Sequence, residues 1–344
     1  MNIKHRLILL STVLFLRASF AAEPAPADKG KWVSICDSVI EQLNKEGQKI
    51  AWPGLTAGIA CDRTSGDVYM LVSGQGIWRS SDLGKTFERL DGGKVGGRCE
   101  TSYSLDFDPN GKRAACFMLD GPGAMTLDNG KTWSDCKDKS RGFDNAAVDW
   151  SQETPKTIFA VRHEAGGLAL VSQDAGKTYK EIGADCKNFK NVGVFGEQIF
   201  VATKDKQPGI LRSTDAGATW TKVSDLAPSG LVARVFNGAG YWTSAQGLLA
   251  SKDKGLTWVV QGSPIAAGAG PYFGKDEKNI LVATKEGLAE TTDGGQSWKV
   301  AAPLPQGGYE FSQNGWFVNF AWDPVHNVFY VSRMGKPAMK FERP

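Results

Sequence analysis

Short runs of alternating apolar and polar residues recur along the chain from about residue 50 to its end. Residues 56–60 and 68–72 form one pair of such runs, and residues 157–161 and 168–171 form another. Alternation with a period of two is typical of half-buried strands. A shorter polar and apolar run, such as residues 86–90, closes each unit. The pattern therefore predicts repeated units of four short strands.

One octapeptide, Ser/Thr-x-Asp-x-Gly-x-Thr/Ser-aromatic, accompanies these units. Its spacings of 46, 46, 41, 38 and 40 residues match the length of one propeller blade. The aspartate can accept backbone hydrogen bonds, and the glycine can adopt a positive φ, so we predict a tight turn between two strands. The six copies, called box turns below, read SSDLGKTF from Ser80, TLDNGKTW from Thr126, SQDAGKTY from Ser172, STDAGATW from Ser213, SKDKGLTW from Ser251 and TTDGGQSW from Thr291.

These repeats predict an all-β fold, a seven-bladed β-propeller of four-stranded antiparallel blades over residues 49–344, with a short N-terminal helix. Six units contain the octapeptide, and a last unit at residues 316–341 has strands but no octapeptide. Because a ring must close, we expect a strand near residues 49–52 to complete the last blade. Six or eight blades are the alternatives.

The N-terminal 48 residues have a different pattern. Residues 1–21 combine early basic residues, an apolar run and small residues at Ser19 and Ala21, which predicts a cleaved export signal rather than a membrane span. We therefore expect a secreted or periplasmic protein. Residues 22–48 should be a linker followed by an amphipathic helix that caps the ring, or that binds a partner. Its apolar stripe consists of Trp32, Ile35, Cys36, Val39, Ile40 and Leu43.

Charge and cysteine content narrow the possible partners. Three of the 40 Lys and Arg residues lie in the export signal, so the remaining 37 balance the 37 Asp and Glu residues. This balance gives no support to nucleic-acid binding or to a charged membrane surface. The spacing of the six cysteines predicts no metal site, and we expect no cofactor. In an oxidising compartment one to three disulfides are expected, with the pairing open.

The octapeptide resembles the Asp-box, or BNR, repeat of sialidases, two-propeller xyloglucanases, the sortilin luminal domain and the photosystem II assembly propeller. The resemblance covers roughly residues 50–344 and implies the propeller fold. It also implies that the boxes lie on the face away from the ligand, so that their aspartates are not catalytic. Sialidases also carry an Arg-Ile-Pro motif near the first blade, and this sequence has no such tripeptide.

In such a ring the ligand face is formed by the loops between second and third strands and by the connections between blades. Arg162, Arg234 and Arg333 fall on three blades and are predicted to bind a carboxylate or sulfate together, unless each pairs with a nearby acid. His163 suits a general acid or base. Tyr309 beside Glu310 resembles a carboxylate-activated nucleophile, but packing of Tyr309, Phe311 and Trp316, or their stacking on a sugar ring, is the favoured interpretation.

The complete set of candidate residues divides by role. The catalytic candidates are His163, Tyr309, Glu310 and Glu100, and the binding candidates are Arg98, Arg162, Glu164, Arg234, Tyr272, Lys285, Arg333 and Trp316. The first hypothesis is an exported propeller that recognises a glycan, expected to be acidic, at the channel mouth. In its enzymatic form the same protein is a hydrolase or lyase that acts on this glycan. The alternative is a non-catalytic propeller that binds a protein segment or assists assembly. The sequence leaves the oligomeric state open.

Overall fold

The computed structural model describes residues 28–52, 54–93, 95–121, 123–135, 142–309 and 318–344. Within them the chain forms seven four-stranded antiparallel sheets, arranged as the blades of a propeller, and one short α-helix. The predicted fold class and blade count are therefore confirmed. The expected export signal lies outside the described residues. No described helix is long and apolar enough to cross a membrane.

Each blade runs from an inner strand at the channel to an outer strand at the rim. Blades 1 to 3 consist of β2 (Thr56–Cys61), β3 (Val68–Val72), β4 (Gly76–Ser80) and β5 (Glu88–Arg89); β6 (Leu105–Phe107), β7 (Ala114–Cys116), β8 (Ala124–Thr126) and β9 (Ser134–Asp135); and β10 (Phe143–Val148), β11 (Ile158–Arg162), β12 (Ala169–Ser172) and β13 (Lys180–Glu181).

Blades 4 to 6 follow the same order. They consist of β14 (Phe189–Val194), β15 (Phe200–Lys204), β16 (Gln207–Ser213) and β17 (Thr221–Ser224); β18 (Arg234–Phe236), β19 (Ala239–Thr243), β20 (Leu248–Ser251) and β21 (Val259–Gln261); and β22 (Ala269–Phe273), β23 (Ile280–Ala283), β24 (Leu288–Thr291) and β25 (Lys299–Ala302).

Blade 7 closes the ring with a strand from the other end of the chain. Its inner three strands are β26 (Val318–Asp323), β27 (Val328–Arg333) and β28 (Met339–Glu342), and its outer strand is β1 (Trp32–Ser34). Trp32 pairs with Phe341 and Ser34 with Met339 in antiparallel register. The expectation of a closing strand at residues 49–52 is wrong, because that segment instead crosses above blade 1, where the Ala51 N–H donates to the Ser73 carbonyl at 3.1 Å.

The helix α1 (Asp37–Lys45) follows the closing strand directly. Its Val39 and Leu43 are buried in a cluster with Met70 and Trp78 of blade 1 and Tyr330 of blade 7. Val39 and Leu43 form part of the predicted apolar stripe, but its first three members precede the helix and Ile40 is 37% exposed. The helix fills the junction between the first and last blades.

Apolar side chains fill the spaces between neighbouring blades. Tyr69 of blade 1 contacts Phe107 of blade 2 with ring centroids 4.5 Å apart. Phe159 of blade 3 stacks on Phe200 of blade 4 at 5.0 Å. Such contacts recur around the ring and bury both faces of many strands, which are therefore more deeply buried than the alternating pattern predicted.

All six box turns lie between the third and fourth strands and share one set of hydrogen bonds. In the turn at residues 213–220, the Asp215 carboxylate accepts the Thr219 backbone N–H at 2.9 Å and its hydroxyl at 2.5 Å. The Ser213 hydroxyl accepts the Gly217 N–H at 2.8 Å. Ala216 and Gly217 both have positive φ, of 54° and 88°. The turn thus contains two residues in the left-handed region of φ, and its hydrogen bonds stabilise this conformation.

Successive turns of a blade alternate between the two ends of its strands. The box turns and the turns between first and second strands form the lower face, and the remaining connections form the upper face. Four lower turns also begin with a buried aspartate that accepts a backbone N–H two residues on, a repeat that the sequence reasoning missed. These are Asp62, Asp108, Asp149 and Asp323.

None of the five described cysteines takes part in a disulfide. The expected bridges are therefore not seen in this part of the chain, and Cys136 lies outside the described residues. Cys36, Cys99 and Cys116 are fully buried.

Candidate functional site

Trp52 is the most exposed large apolar side chain among the described residues of the upper face. The segment that carries it leaves α1 and crosses from blade 7 to blade 1, where the Lys49 carbonyl accepts the Gln75 side-chain amide at 2.8 Å. The Trp52 side chain is 73% exposed. The Arg98 guanidinium lies 4.7 Å from the centre of its ring. A ring supported from one side and open on the other is a platform on which a planar ligand surface can stack.

Arg98 is itself held by two carboxylates. Its backbone N–H and its Nε both donate to Asp120, each at 3.1 Å, and its Nη1 lies 3.4 Å from the nearer oxygen of Glu100. The Glu100 side chain has no exposed surface, whereas that of Asp120 is 47% exposed. Burial raises the pKa of Glu100, and the charge of Arg98 opposes this shift. Glu100 therefore positions Arg98 from beneath and cannot touch a ligand directly.

A histidine–carboxylate pair lies on blade 3 at the same mouth. His163 Nδ1 is 2.5 Å from an oxygen of Asp144, and Nε2 is 3.8 Å from Glu164. Burial raises the pKa of Asp144, and the hydrogen bond from His163 opposes the rise. In the tautomer whose Nδ1–H donates to Asp144, Nε2 carries the lone pair of the ring. The charge of His163 contributes in a minor way to lowering the pKa of Glu100.

Arg234 and Tyr272, by contrast, lie inside the channel. Arg234 is on the inner strand of blade 5, and its Nη1 donates at 2.6 Å to Asp106 on the inner strand of blade 2. The ion pair crosses the channel, and the Tyr103 ring lies 4.3 Å from the guanidinium. The Tyr103 hydroxyl donates to the Pro271 carbonyl of blade 6 at 2.7 Å, and its ring lies 5.5 Å from that of Tyr272.

These cross-channel contacts divide the interior. A cavity of about 80 Å³ lies among blades 1, 2, 6 and 7, and one of about 340 Å³ lies among blades 2 to 5. Arg234 lines both cavities. The Arg234–Asp106 pair therefore spans the channel between these two cavities.

The other predicted residues are scattered. Tyr309 is buried, its hydroxyl donates to the Pro337 carbonyl at 2.6 Å, and burial raises its pKa to about 12. Arg162 and Arg333 end the second strands of blades 3 and 7, and Lys285 lies on an exposed turn of blade 6. Glu310 and Trp316 lie outside the described residues. Of the predicted cluster of Arg162, Arg234 and Arg333, Arg234 pairs with the acid Asp106 across the channel, which was the stated alternative for each arginine.

Sequence reasoning missed the residue that dominates the mouth. Trp52 was assigned to a closing strand, and Asp120 was not considered. A hint was available, because a tryptophan that follows an apolar helix and precedes Pro53 belongs to an irregular connection. The cross-channel partner Asp106 had no such signal.

No protein-family model matches the chain. A xyloglucanase from a Paenibacillus species is 27% identical over 259 residues, which cover 64% of this chain and 23% of that protein. The chain thus spans about a quarter of the length of this curated relative.

Solved structures share the fold at low identity. A GH74 enzyme of Niastella koreensis has a TM-score of 0.51 and 16% identity, covering 83% of this chain and 52% of its own. The extracellular domain of a hybrid two-component system from B. thetaiotaomicron has a TM-score of 0.53 and 8% identity, covering 83% and 38%. The Cps50 (Swd1) propeller domain of Myceliophteria thermophila has a TM-score of 0.55 and 9% identity, covering 85% and 97%. These likenesses support the propeller fold.

Proposed function

We propose that the protein is an exported propeller that recognises a glycan at its upper mouth, with Trp52 as the stacking platform. The observation that carries this proposal is the exposed Trp52 ring, which is supported by Arg98 and has hydrogen-bonding side chains close by. The C–H faces of a sugar ring pack on indole, and hydroxyl groups pair with exposed carboxylates such as Asp120. The similarity to a xyloglucanase adds support at the level of ligand class.

The expected preference for an acidic glycan loses its main support. Arg234 is paired across the channel, and Arg98 is held by Asp120 and Glu100. Lys204, another cation of the upper face, lies 2.5 Å from Asp185. A cation already bound to a carboxylate has little attraction left for a second one. The proposed ligand therefore does not need to carry an acidic group.

A hydrolase or lyase at the same mouth is the second candidate, and the His163–Asp144 pair favours it. A histidine whose Nδ1 is held by a carboxylate presents a basic Nε2, which suits proton transfer. In this version His163 is the group that moves a proton, since Glu100 is enclosed and Tyr309 is bound to a backbone carbonyl. Replacing His163 by Gln would then abolish product formation while leaving ligand affinity nearly unchanged.

The test is a glycan array probed with the mature protein, followed by titration of each positive ligand. We expect Trp52→Ala to weaken binding at least about tenfold, because the loss of an aromatic platform removes its stacking and buried area. Leu127→Ala is the matched control, since Leu127 is also exposed but lies in a box turn on the lower face. Absence of binding to any glycan, or equal affinity of the Trp52→Ala variant, would contradict the proposal.

A further inference from the structure

We infer that Cys99 and Cys116 are the two halves of a disulfide that forms while the chain folds and that fastens the Arg98 connection to blade 2. The Cys116 thiol is near enough to Cys99 to add to the effect of burial on the pKa of the Cys99 thiol. Both side chains have no exposed surface, and they lie in one apolar cluster with Leu71, Ile77 and Met118. Two thiols that share a buried cluster can be bridged when their Cα atoms lie within about 7 Å of each other.

The backbone explains why these two cysteines meet. Cys99 lies in the connection from blade 1 to blade 2, and Cys116 ends the second strand of blade 2. The Leu119 N–H donates to the Arg98 carbonyl at 2.9 Å, which holds the two segments side by side. On the other side Cys99 abuts the inner strand of blade 1, where a side chain at Gly58 would collide with its carbonyl oxygen. The contact is therefore set by packing on both sides.

The other described cysteines have different neighbours. Cys36 accepts the Ala338 N–H at 3.1 Å, Cys61 lies 3.7 Å from the Asp62 carbonyl, and Cys186 lies 3.9 Å from Glu181. Within the described part of the chain, the hydrogen bonds of these three sulfur atoms go to backbone, methionine or carboxylate groups. Cys99 and Cys116 therefore form the pair that the described geometry selects.

The bond requires an oxidant, for which a small disulfide such as oxidised glutathione suffices. The thiolate of one cysteine attacks this disulfide, forms a mixed disulfide with the protein and releases one reduced glutathione. The thiolate of the second cysteine then attacks the protein sulfur of the mixed disulfide and releases the other glutathione. The two protons lost by the cysteine thiols are taken up by the two glutathione thiolates. Overall, two protein thiols are oxidised and one disulfide is reduced to two thiols.

Burial fixes when this chemistry can occur. In the folded chain burial raises the pKa of Cys99 well above the ordinary range, so the reactive thiolate is scarce, and neither sulfur is accessible to an oxidant. The bond must therefore form before the cluster closes. Refolding with oxidised glutathione is expected to give the bond, whereas adding the oxidant to folded, reduced protein gives it at least about tenfold more slowly.

The consequence for the upper mouth rests on the proposed function. Arg98 immediately precedes Cys99, and Asp120 follows Cys116 by four residues, so the bond would tie together the two segments that hold the support of Trp52. A fixed support reduces the ordering that a ligand must impose on binding. The bond itself is independent of whether the ligand is a glycan.

The experiment is tryptic peptide mapping of the oxidatively refolded, full chain without reductant. Cleavage after Arg98, Lys112, Arg113 and Lys131 separates the two cysteines, so the bond appears as peptide 99–112 joined to peptide 114–131. Cys136 falls in peptide 132–137 and is told apart by mass. The joined peptide supports the inference. Free thiols at both positions, or either cysteine joined to Cys136, overturns it.

A second measurement compares the same sequence with and without reductant, which avoids variants that fail to fold. Closing a loop of this size is expected to raise Tm by about 5 °C. Cys186→Ser is the control and should leave both the joined peptide and the Tm difference intact. A joined peptide in a protein that binds no glycan would contradict the proposed function but not the disulfide. Glycan binding by a protein with both thiols free would contradict the disulfide but not the proposed function.

Discussion

On the lower face the same turn occurs six times, with the same donors and acceptors at nearly the same distances. On the upper face the described blades contribute different side chains, and the prominent group, Trp52, comes from a segment outside the repeats. Repetition suits a task that every blade shares, which is joining its third and fourth strands. Recognition needs an asymmetric surface, because a ligand approaches one place on the ring.

The largest effect on stability is expected from breaking the ion pair in the channel, rather than from a change on either face. Asp106→Ala leaves the buried Arg234 without its carboxylate and should lower the free energy of unfolding by about 3–5 kcal/mol. Chemical denaturation monitored by tryptophan fluorescence would measure this loss. A variant with both residues replaced, Asp106→Leu with Arg234→Met, removes the stranded charge and should recover part of it. Equal stability of Asp106→Ala and the parent would show that the cross-channel pair does not contribute to the free energy of unfolding.

Acid should act on the lower face next. Hydrogen bonds from the Thr219 hydroxyl and backbone N–H lower the pKa of Asp215 to about 2, and those from Ser297 and Thr291 do the same for Asp293. Because an unfolded aspartate titrates near 3.9, this stabilisation is fully present above about pH 4 and is lost as the pH falls through about 2.

The urea midpoint should therefore stay level from pH 6 to pH 4 and fall steeply below that value. A variant with Asp215→Asn and Asp293→Asn should show a shallower fall, because two of the titrating groups are gone. An identical acid profile in the parent and this variant would show that the box aspartates do not couple folding to protons.

A single box gives a smaller change. Asp215→Ala removes the acceptor for Thr219 and should lower Tm by a few degrees while leaving ligand affinity unchanged. The matched control is Asp225→Ala, because Asp225 is 95% exposed and forms only a surface pair with Lys222. If Asp215→Ala instead lowered the affinity for the ligand at unchanged Tm, the assignment of functions to the two faces would be reversed.

The smallest effect on stability, with a clear effect on binding, is expected at Asp120. Asp120→Asn weakens two hydrogen bonds to Arg98 at a half-exposed position, so Tm should barely change. Affinity for the ligand should fall about fivefold, since the support of the Trp52 ring becomes loose. Glu153→Gln, an exposed substitution on the lower face, is the control in the same titration. Unchanged affinity would mean that Trp52 does not depend on Arg98.

The sequence predicted the ring because its signals are local and repeated. Each box brings its own acceptor, hydroxyl and left-handed residues within eight positions, so six copies define six blades without any knowledge of the tertiary structure. The closing strand was misplaced because three residues, Trp32 to Ser34, carry too little alternation to be told from the start of a helix.

The site was harder to predict, because its contacts join distant parts of the chain. Asp106 and Arg234 are 128 residues apart, and nothing near Arg234 shows that its charge is already neutralised. His163 was found because an Arg-His-Glu turn is conspicuous, but its partner Asp144 comes from the neighbouring strand. Trp52 gains its role from Arg98, 46 residues later, which no periodic pattern indicates.

The pairing of β1 with β28 brings the two ends of the described chain together. The Gly30 N–H donates to the Glu342 carbonyl at 2.8 Å, and a side chain at Gly30 would contact Pro344. A short linker could therefore join residue 344 to residue 30, and new ends could be opened at an exposed box turn such as that of blade 5. Such a circular permutant should keep every blade, since a ring of blades has no preferred first member. In the permutant the closing strand would follow β28 directly in the chain. The segment before residue 30 could then be placed at another terminus.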